Sequence, residues 1–540
     1  MIYKGMEDMS CAISDAEIRI AENSIEAALD AGASAVQVTL DKACTDIVAL
    51  LNGELDNIRH TGDRSLTFRL YSEGRYGVFS TNRLDDNGIR SFMKQAVEHL
   101  RLQAEDPFRK LPSETTGEAV RGDEMGLCWY GYDTVTGKDR IAAAESVSVF
   151  GKEGNEGKDW TLISEEVEYN NTLADTLLLD SSGTRCRQIE TSFEVSAQAT
   201  VQDSAGAKYS GFDWDYGISP DRISSSECGR KAVEDAVSQI NPERIPGGKY
   251  TMVVDRKVCS KLINPIISGL GGLRIQQRSS FLTDTLDKKV FHEGMSLVDR
   301  PRVPGKCGSI LFEPDGRACI DRDIIIEGVV KEYFLNTYIS GKMGTAPTSD
   351  TANRPVLLPF VSGNPALTEA LRKDEGSLER DGILNLCGDG ILVTGFNGGN
   401  CNAATGEFSY GIEGFEFRNG VIVRPIESML ITGEMITLWN SLIAAGTDPM
   451  NGMSRQIPTL AFSDISFNSY DNEGQIIPHR RTRIDLQDVL RILEASDDKL
   501  EGRGHVHTFR IHQVSSGNDT PGRADASRSG IRPPGRHIQE

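Results

Sequence analysis

Apolar residues first recur at helical spacing. Ile18, Ala21, Ile25, Ala28 and Leu29 fall on one face, as an amphipathic helix requires. Ser14-Asp15-Ala16-Glu17 opens that helix as a capping box, and Gly32 ends it. Val36, Val38 and Leu40 then alternate, the period of a half-buried strand. Asn52-Gly53 predicts a hairpin turn between Ile47–Leu51 and Leu55–Ile58. Leu66, Phe68 and Leu70 alternate again, Glu73-Gly74 turns the chain into Tyr76–Phe79, and Ile89, Phe92, Met93, Ala96, Val97 and Leu100 mark a second helix. Helix, antiparallel strands and helix make an α+β unit over about residues 14–105.

Residues 106–135 read as a connector with Pro107, Pro112 and several glycines. A short Ala-rich helix is expected over Ile141–Phe150. Polar-alternating strands follow over Trp160–Tyr169, Thr176–Leu179 and Thr191–Val201, with Ser182-Gly183 turning one pair, and then a helix over Ile223–Ile240. Pro246-Gly247-Gly248 breaks the chain before a strand at Tyr250–Val254, which sets a domain boundary. A central strand-rich domain thus spans 106–245, and a mostly antiparallel β-rich domain spans 249–468. The expected fold class is α+β. In the extension, 469–540, one amphipathic helix is expected at Ile484–Leu493. Residues 501–540 have few apolar anchors and are expected to be disordered.

The 540 residues exceed what one core supports, and 38% hydrophobic with 25% charged residues is ordinary for a globular protein. The net charge of −21 opposes binding to phosphate backbones or anionic lipid. No apolar run reaches the roughly 18 residues of a membrane span. The N-terminus carries Glu7 and Asp8 and shows no signal-peptide core. The ten cysteines lie scattered from Cys11 to Cys401 with no C-x-x-C pair, which predicts reduced thiols and a cytoplasmic location.

A zinc hydrolase needs two imidazoles on one helical face and a carboxylate to activate water. Only His60, His99 and His292 precede the extension, and they are far apart. His292-Glu293 begins like H-E-x-x-H, but Ser296 stands where the second histidine belongs, so His292 is expected to be a solvated loop residue. His507 and His512 lack an intervening carboxylate. No serine sits in a G-x-S-x-G elbow. The stretch from Gly131 to Gly137-Lys138 is one residue too long for a phosphate loop and is followed by Asp139. Gly269-Leu270-Gly271 lacks the third glycine of a dinucleotide fingerprint. Gly271-Gly272 fits a helix end or close packing.

Four ordered stretches resemble the TldD/PmbA family of peptidases. They are Tyr76-Gly77-Val78-Phe79-Ser80-Thr81-Asn82-Arg83-Leu84; Ser279-Ser280-Phe281-Leu282 through Val298-Asp299; Ile324 to Tyr333 with Pro347-Thr348 and Asn353-Arg354; and Thr394-Gly395 through Asn402, Thr405 to Ser409, Asn419-Gly420 and Ala445 to Asp448. The resemblance covers about residues 14–468. It implies that a His-Glu-x-x-x-His helix, in the metal-bearing branch, occupies the place of Leu262-Ile263-Asn264-Pro265-Ile266-Ile267. Registered from Ser280-Phe281, Leu262 and Ile267 fall at the histidine positions and Ile263 at the glutamate. The family's cysteine ligand falls between Asp448 and Pro458, and this chain has no cysteine after Cys401.

The resemblance therefore implies a PmbA-type (TldE-like) chain: a metal-free scaffold subunit of a cytosolic TldD/TldE-type metallopeptidase complex acting on unfolded or modified peptides. Its expected partner is a TldD-like, metal-bearing homologue. No cofactor is expected in this chain, with zinc confined to that partner, and no direct nucleic-acid or membrane contact is expected. The family's older label concerns DNA gyrase, and the acidity of this chain gives no support for DNA contact. Two other readings stay open: a stand-alone, non-proteolytic peptide-binding homodimer, and a hydrolase using carboxylates alone.

Overall fold

The computed structural model describes residues 9–112, 125–152, 158–223 and 225–469. The expectations for Ile484–Leu493, for His507 and His512 and for residues 501–540 fall outside them. The fold is α+β.

The first unit contains α1 (Asp15–Asp30), β1 (Ala35–Leu51), β2 (Glu54–Ser72), β3 (Arg75–Thr81) and α2 (Asp86–Leu100). The capping box forms as expected: Ser14 Oγ accepts from Glu17 N, and Glu17 accepts from Ser14 N at 2.8 Å. Asn52-Gly53 makes the β1–β2 hairpin, with both residues at positive φ. The strands are longer than their apolar segments suggest. Val36–Leu40 and Ile47–Leu51 join through polar residues into one 17-residue strand. The joining residues stay extended because they are paired on both sides, Thr45 with Thr61 and Thr172.

The central unit adds α3 (Gly137–Val147), β4 (Trp160–Asp180), β5 (Arg185–Asp203), β6 (Lys208–Gly217) and α4 (Ser225–Ser238). The two segments expected at 160–169 and 176–179 are one strand, β4. One six-stranded sheet, ordered β3-β2-β1-β4-β5-β6, runs through both units, because β1 pairs with β4 over Gln37–Leu51. The boundary expected after residue 105 therefore does not interrupt the hydrogen-bonded layer. Alternate residues of β5, from Ile189 to Val201, are buried in a core with Ala144, Val147, Ala232 and Ala236. The opposite face of the strand is only half-buried.

One expectation about the cysteines is corrected. Cys11 and Cys44 form a disulfide with Cα atoms 6.0 Å apart. Spacing did not signal it: tertiary packing brings residues 9–13 against the sheet, where Lys42 Nζ of the first strand donates to Ala12 O and Arg187 of the fifth to Ile13 O. The other eight cysteines form no disulfide.

The C-terminal unit begins with β7 (Gly248–Val254), α5 (Ser260–Gly269) and α6 (Gly272–Gln276). A four-stranded sheet follows from β8 (Leu297–Asp299), β9 (Arg322–Ile326), β10 (Val329–Val330) and, after α7 (Thr337–Met343), β11 (Pro355–Leu357). Next come β12 (Phe360–Val361), α8 (Pro365–Arg372), α9 (Arg380–Cys387), β13 (Gly390–Cys401), β14 (Glu407–Arg418), β15 (Val421–Glu434), α10 (Met435–Asn440), β16 (Leu442–Ala445) and β17 (Leu460–Asn468). β7 pairs in parallel with β13 and antiparallel with β17, so β7, β13, β14, β15 and β17 close a ring. The connector clamps the first unit to the third. Arg109 lies over the rings of Tyr76 and Tyr338, 4.6 and 3.4 Å from their centroids, and Tyr338 donates to Asp106 at 2.7 Å.

The capping box makes stability depend on pH. Burial pushes the Glu17 carboxyl up. The Ser14 hydrogen bonds and the contacts with Lys42 and Arg64, both at 3.1 Å, outweigh burial and bring it down to about 2. A depressed carboxylate stabilises the fold fully above its unfolded value of ~4.3, and the contribution is lost as pH falls through the folded value. Glu17→Gln is expected to cost about 2 kcal/mol at pH 7, after allowance for solvent screening. That cost should shrink steadily between pH ~5 and ~2. Urea unfolding of both proteins across this range measures it, and a pH-independent difference would refute the assignment.

Candidate functional site

Helix α5 carries the three positions that the resemblance marks. Leu262 and Ile263 are 0% exposed and Ile267 is 6% exposed. They join the largest described apolar core, with Met252, Ile325, Trp439 and Phe462. Pro265 lies inside the helix and removes the hydrogen bond to the carbonyl four residues back. Packing holds the helix in place, and Trp439 Nε1 donates to Leu262 O at 3.3 Å. Lys261, on the same helix, is half-buried beside β13 and β14. Its Nζ lies 3.4 Å from Gly399 O and 4.8 Å from the Tyr410 ring centroid, and burial lowers its pKa.

Three of the four family-like stretches meet around α5. Ser280 Oγ donates to Gly269 O at 2.5 Å and accepts from Leu282 N at 3.0 Å, fastening the end of the helix. Phe281 N donates to Ala403 O at 3.1 Å. The Tyr333 hydroxyl accepts from Thr285 N and Leu286 N and donates to Leu282 O. Asp299, at the end of the second stretch, accepts from Asn353 N and Arg354 N at 3.0 and 2.6 Å, at the end of the third. Gly272 has to be glycine, because a Cβ there would lie 2.4 Å from Phe334 O. Gly271-Gly272 is thus the close-packing site expected, not part of a nucleotide loop. The first stretch lies on β3, in the six-stranded sheet, and on the loop that follows it.

The loop expected to hold the cysteine ligand is fixed by other chemistry. Asp448 accepts from Thr459 N and Oγ1 at 3.0 and 2.8 Å. The half-buried Cys307 is a nearby thiol that sequence reasoning did not single out. Its Sγ donates to Gly452 O at 3.1 Å, and burial pushes the thiol up to about 11, so it is a protonated donor at neutral pH rather than a thiolate ligand. Glu194 on β5 was also not foreseen: burial, with a contribution from Glu168, lifts its carboxyl to about 7. No motif announces either residue, since each owes its state to tertiary burial.

The histidines are dispersed. His60 Nδ1 is 2.8 Å from Asp46, and His99 Nδ1 is 2.8 Å from Gln95 O. His292 is half-buried rather than solvated. Its Nδ1 accepts from Gly294 N at 3.0 Å, and its ring meets Phe360 edge-on. Among the described residues no group of three His, Cys, Asp or Glu side chains is placed to hold a metal. The aliphatic side chains of α5 do not fit zinc, which takes nitrogen, sulfur or oxygen ligands. The region from Gly131 to Lys138 is not a phosphate loop either, because Asp139 caps the start of α3 through Thr136.

Residues 45–100, 138–240 and 247–469 match the PmbA/TldA metallopeptidase domain 1, central domain and C-terminal domain. A Bacteroides thetaiotaomicron structure, named a modulator of DNA gyrase, superposes with a TM-score of 0.78 at 31% identity, covering 85% of this chain and 100% of its own. The chain belongs to the PmbA/TldD family. Among its PmbA/TldD relatives, the Haemophilus influenzae metalloprotease PmbA homolog is 24% identical over 79% of this chain and 90% of its own length. TldE from Thermococcus kodakarensis shares the fold, with a TM-score of 0.67 at 14% identity over 83% of this chain and all of its own. Among the described residues no helix is long and apolar enough to cross a membrane.

The isolated protein is expected to hold no stoichiometric zinc. Elemental analysis of a chain ending at residue 468, purified without chelator, measures this. One tightly held zinc per chain would overturn the assignment of Leu262, Ile263 and Ile267 as a degenerate site.

Proposed function

We propose that this chain is the non-catalytic, TldE-like subunit of a TldD/TldE-type metallopeptidase working on unfolded or modified peptides in the cytoplasm. One observation carries the reading. In a family whose relatives are named metalloproteases, the helix that the sequence resemblance sets at the metal site carries Leu262, Ile263 and Ile267, all in the apolar core. Aliphatic carbon cannot bind zinc or activate water. Zinc and the general base are therefore supplied by a metal-bearing homologue, and this chain closes the chamber around them. The acidic net charge of −21 supports a protein partner and peptides over nucleic acid. Co-expression with the His-Glu-x-x-x-His homologue from the same organism tests the reading. A mixed complex with one zinc per pair is expected, and separate elution of the two chains would reject it.

A further inference from the structure

Residues 9–13 form a short strap that leads into α1 and crosses the seam between two cores on the helical side of the six-stranded sheet. Met9, Cys11 and Ala12 pack into the core shared with α3 and α4, and Ile13 into the core shared with α1 and α2. The strap pairs with no strand among the described residues. Hydrogen bonds hold it: Ser10 N and Oγ donate to Asp133 at 2.8 Å, Lys42 Nζ to Ala12 O at 2.9 Å, Ile13 N to Asp175 at 2.8 Å and Arg187 Nη2 to Ile13 O at 3.0 Å. The bond from Cys11 to Cys44 adds one covalent tie to them.

The two sulfurs are held differently. Cys44 sits within β1, flanked by β2 and β4, opposite Gly62 and Leu173. Cys11 sits on the strap, next to the exposed Ser10. Breaking the bond therefore frees one end only: the sheet keeps its ladder, and the strap loses its covalent tie. The bond can also be reached. Gly62 lies exposed on β2, and a Cβ built there would meet only Cys44 Sγ, 3.9 Å away. No side chain at position 62 covers the sulfur on that flank, and segments held by few contacts open locally at low cost.

We propose that the Cys11–Cys44 pair is a reversible redox latch for this strap. A dithiol reductant opens it. One thiolate of the reductant attacks Cys44 Sγ from the Gly62 side, the S–S bond breaks, and Cys11 leaves as a thiolate that takes a proton from water. The second thiol of the reductant then attacks the mixed disulfide, closes the reductant's own disulfide and releases Cys44 as a thiol. Two electrons pass to the protein and the dithiol is oxidised. An oxidised dithiol runs the sequence backwards and closes the latch. When open, the strap keeps only its hydrogen bonds, and the seam between the cores loses its seal. Reducing compartments hold such a pair open and oxidising conditions close it. The latch goes beyond the subunit reading and does not depend on it.

Dithiothreitol, first reduced and then oxidised, tests this on the full chain without denaturant. Alkylation with mass spectrometry reads each cysteine, and amide exchange reads the strap. In the oxidised protein Cys11 and Cys44 should resist alkylation. Reduced dithiothreitol should make both reactive, while Cys186 and Cys259, each 0% exposed, stay protected. Amides of residues 10–13 should then exchange on the order of 100-fold faster. Those of Val36–Leu40 should not change, and oxidised dithiothreitol should restore the slow rate. Cys11→Ser should exchange at the fast rate with or without reductant. A bond that opens only in denaturant is a fixed structural disulfide and overturns the latch. So does a reduced protein whose strap exchanges no faster, or a thiol pair that oxidised dithiothreitol fails to close.

Discussion

Leu262→His/Ile263→Glu/Ile267→His is expected to unfold the C-terminal unit rather than create a peptidase. The three side chains sit in the apolar core. Each replacement removes buried hydrocarbon and places a polar or charged group where no partner waits. An unpaired buried polar group costs roughly 1–3 kcal/mol in protein hosts, and an ionised carboxylate costs more. Even with incomplete additivity among neighbours, the loss is on the order of 5 kcal/mol or more, comparable to the whole stability of a typical domain. Zinc should not rescue the variant, because the third ligand is missing: Asp448 is committed to Thr459, and the Cys307 thiol is held protonated. Thermal unfolding with and without zinc measures the effect. A variant as stable as the wild type, binding one zinc and cleaving peptide, would show that α5 is a dormant active site and not a packing element.

Local chemistry was legible in the sequence wherever a few adjacent residues decide the backbone. The Ser14–Glu17 box and the Asn52-Gly53 hairpin depend on capping or on φ preference and stand where read, whereas β7 already begins at Gly248, two residues before the strand expected after Pro246-Gly247-Gly248. Strand length was not legible. Polar residues such as Thr45 and Asp46 are extended only because β2 and β4 flank them. The Cys11–Cys44 pairing was likewise hidden, since it depends on where residues 9–13 dock. At the site, the apolar character of Leu262, Ile263 and Ile267 already pointed to the core, where the structure places them. The hydrogen bonds that make the family-like stretches structural, such as Ser280 to Gly269 and Asp299 to Arg354, link residues up to 55 positions apart. No local pattern encodes such contacts.

Peptide hydrolysis is expected only from the mixture of this chain with its metal-bearing homologue. On the proposed reading the marked positions are aliphatic and supply neither Lewis acid nor general base, and a metal site contributes many powers of ten to hydrolysis. If this chain closes the chamber, the partner alone lacks a wall that orders the peptide and excludes water. Activity should then rise with added chain to an equimolar plateau. Family members share a fold, so the pair is expected to bury more than roughly 2,000 Å² in total, as obligate pairs do.

The central claim is tested most directly by following cleavage of an unfolded peptide with each chain alone and with both together, in the presence and absence of chelator. The account predicts no cleavage by this chain, little by the homologue, and chelator-sensitive cleavage by the mixture. Full, chelator-sensitive cleavage by this chain alone would contradict it.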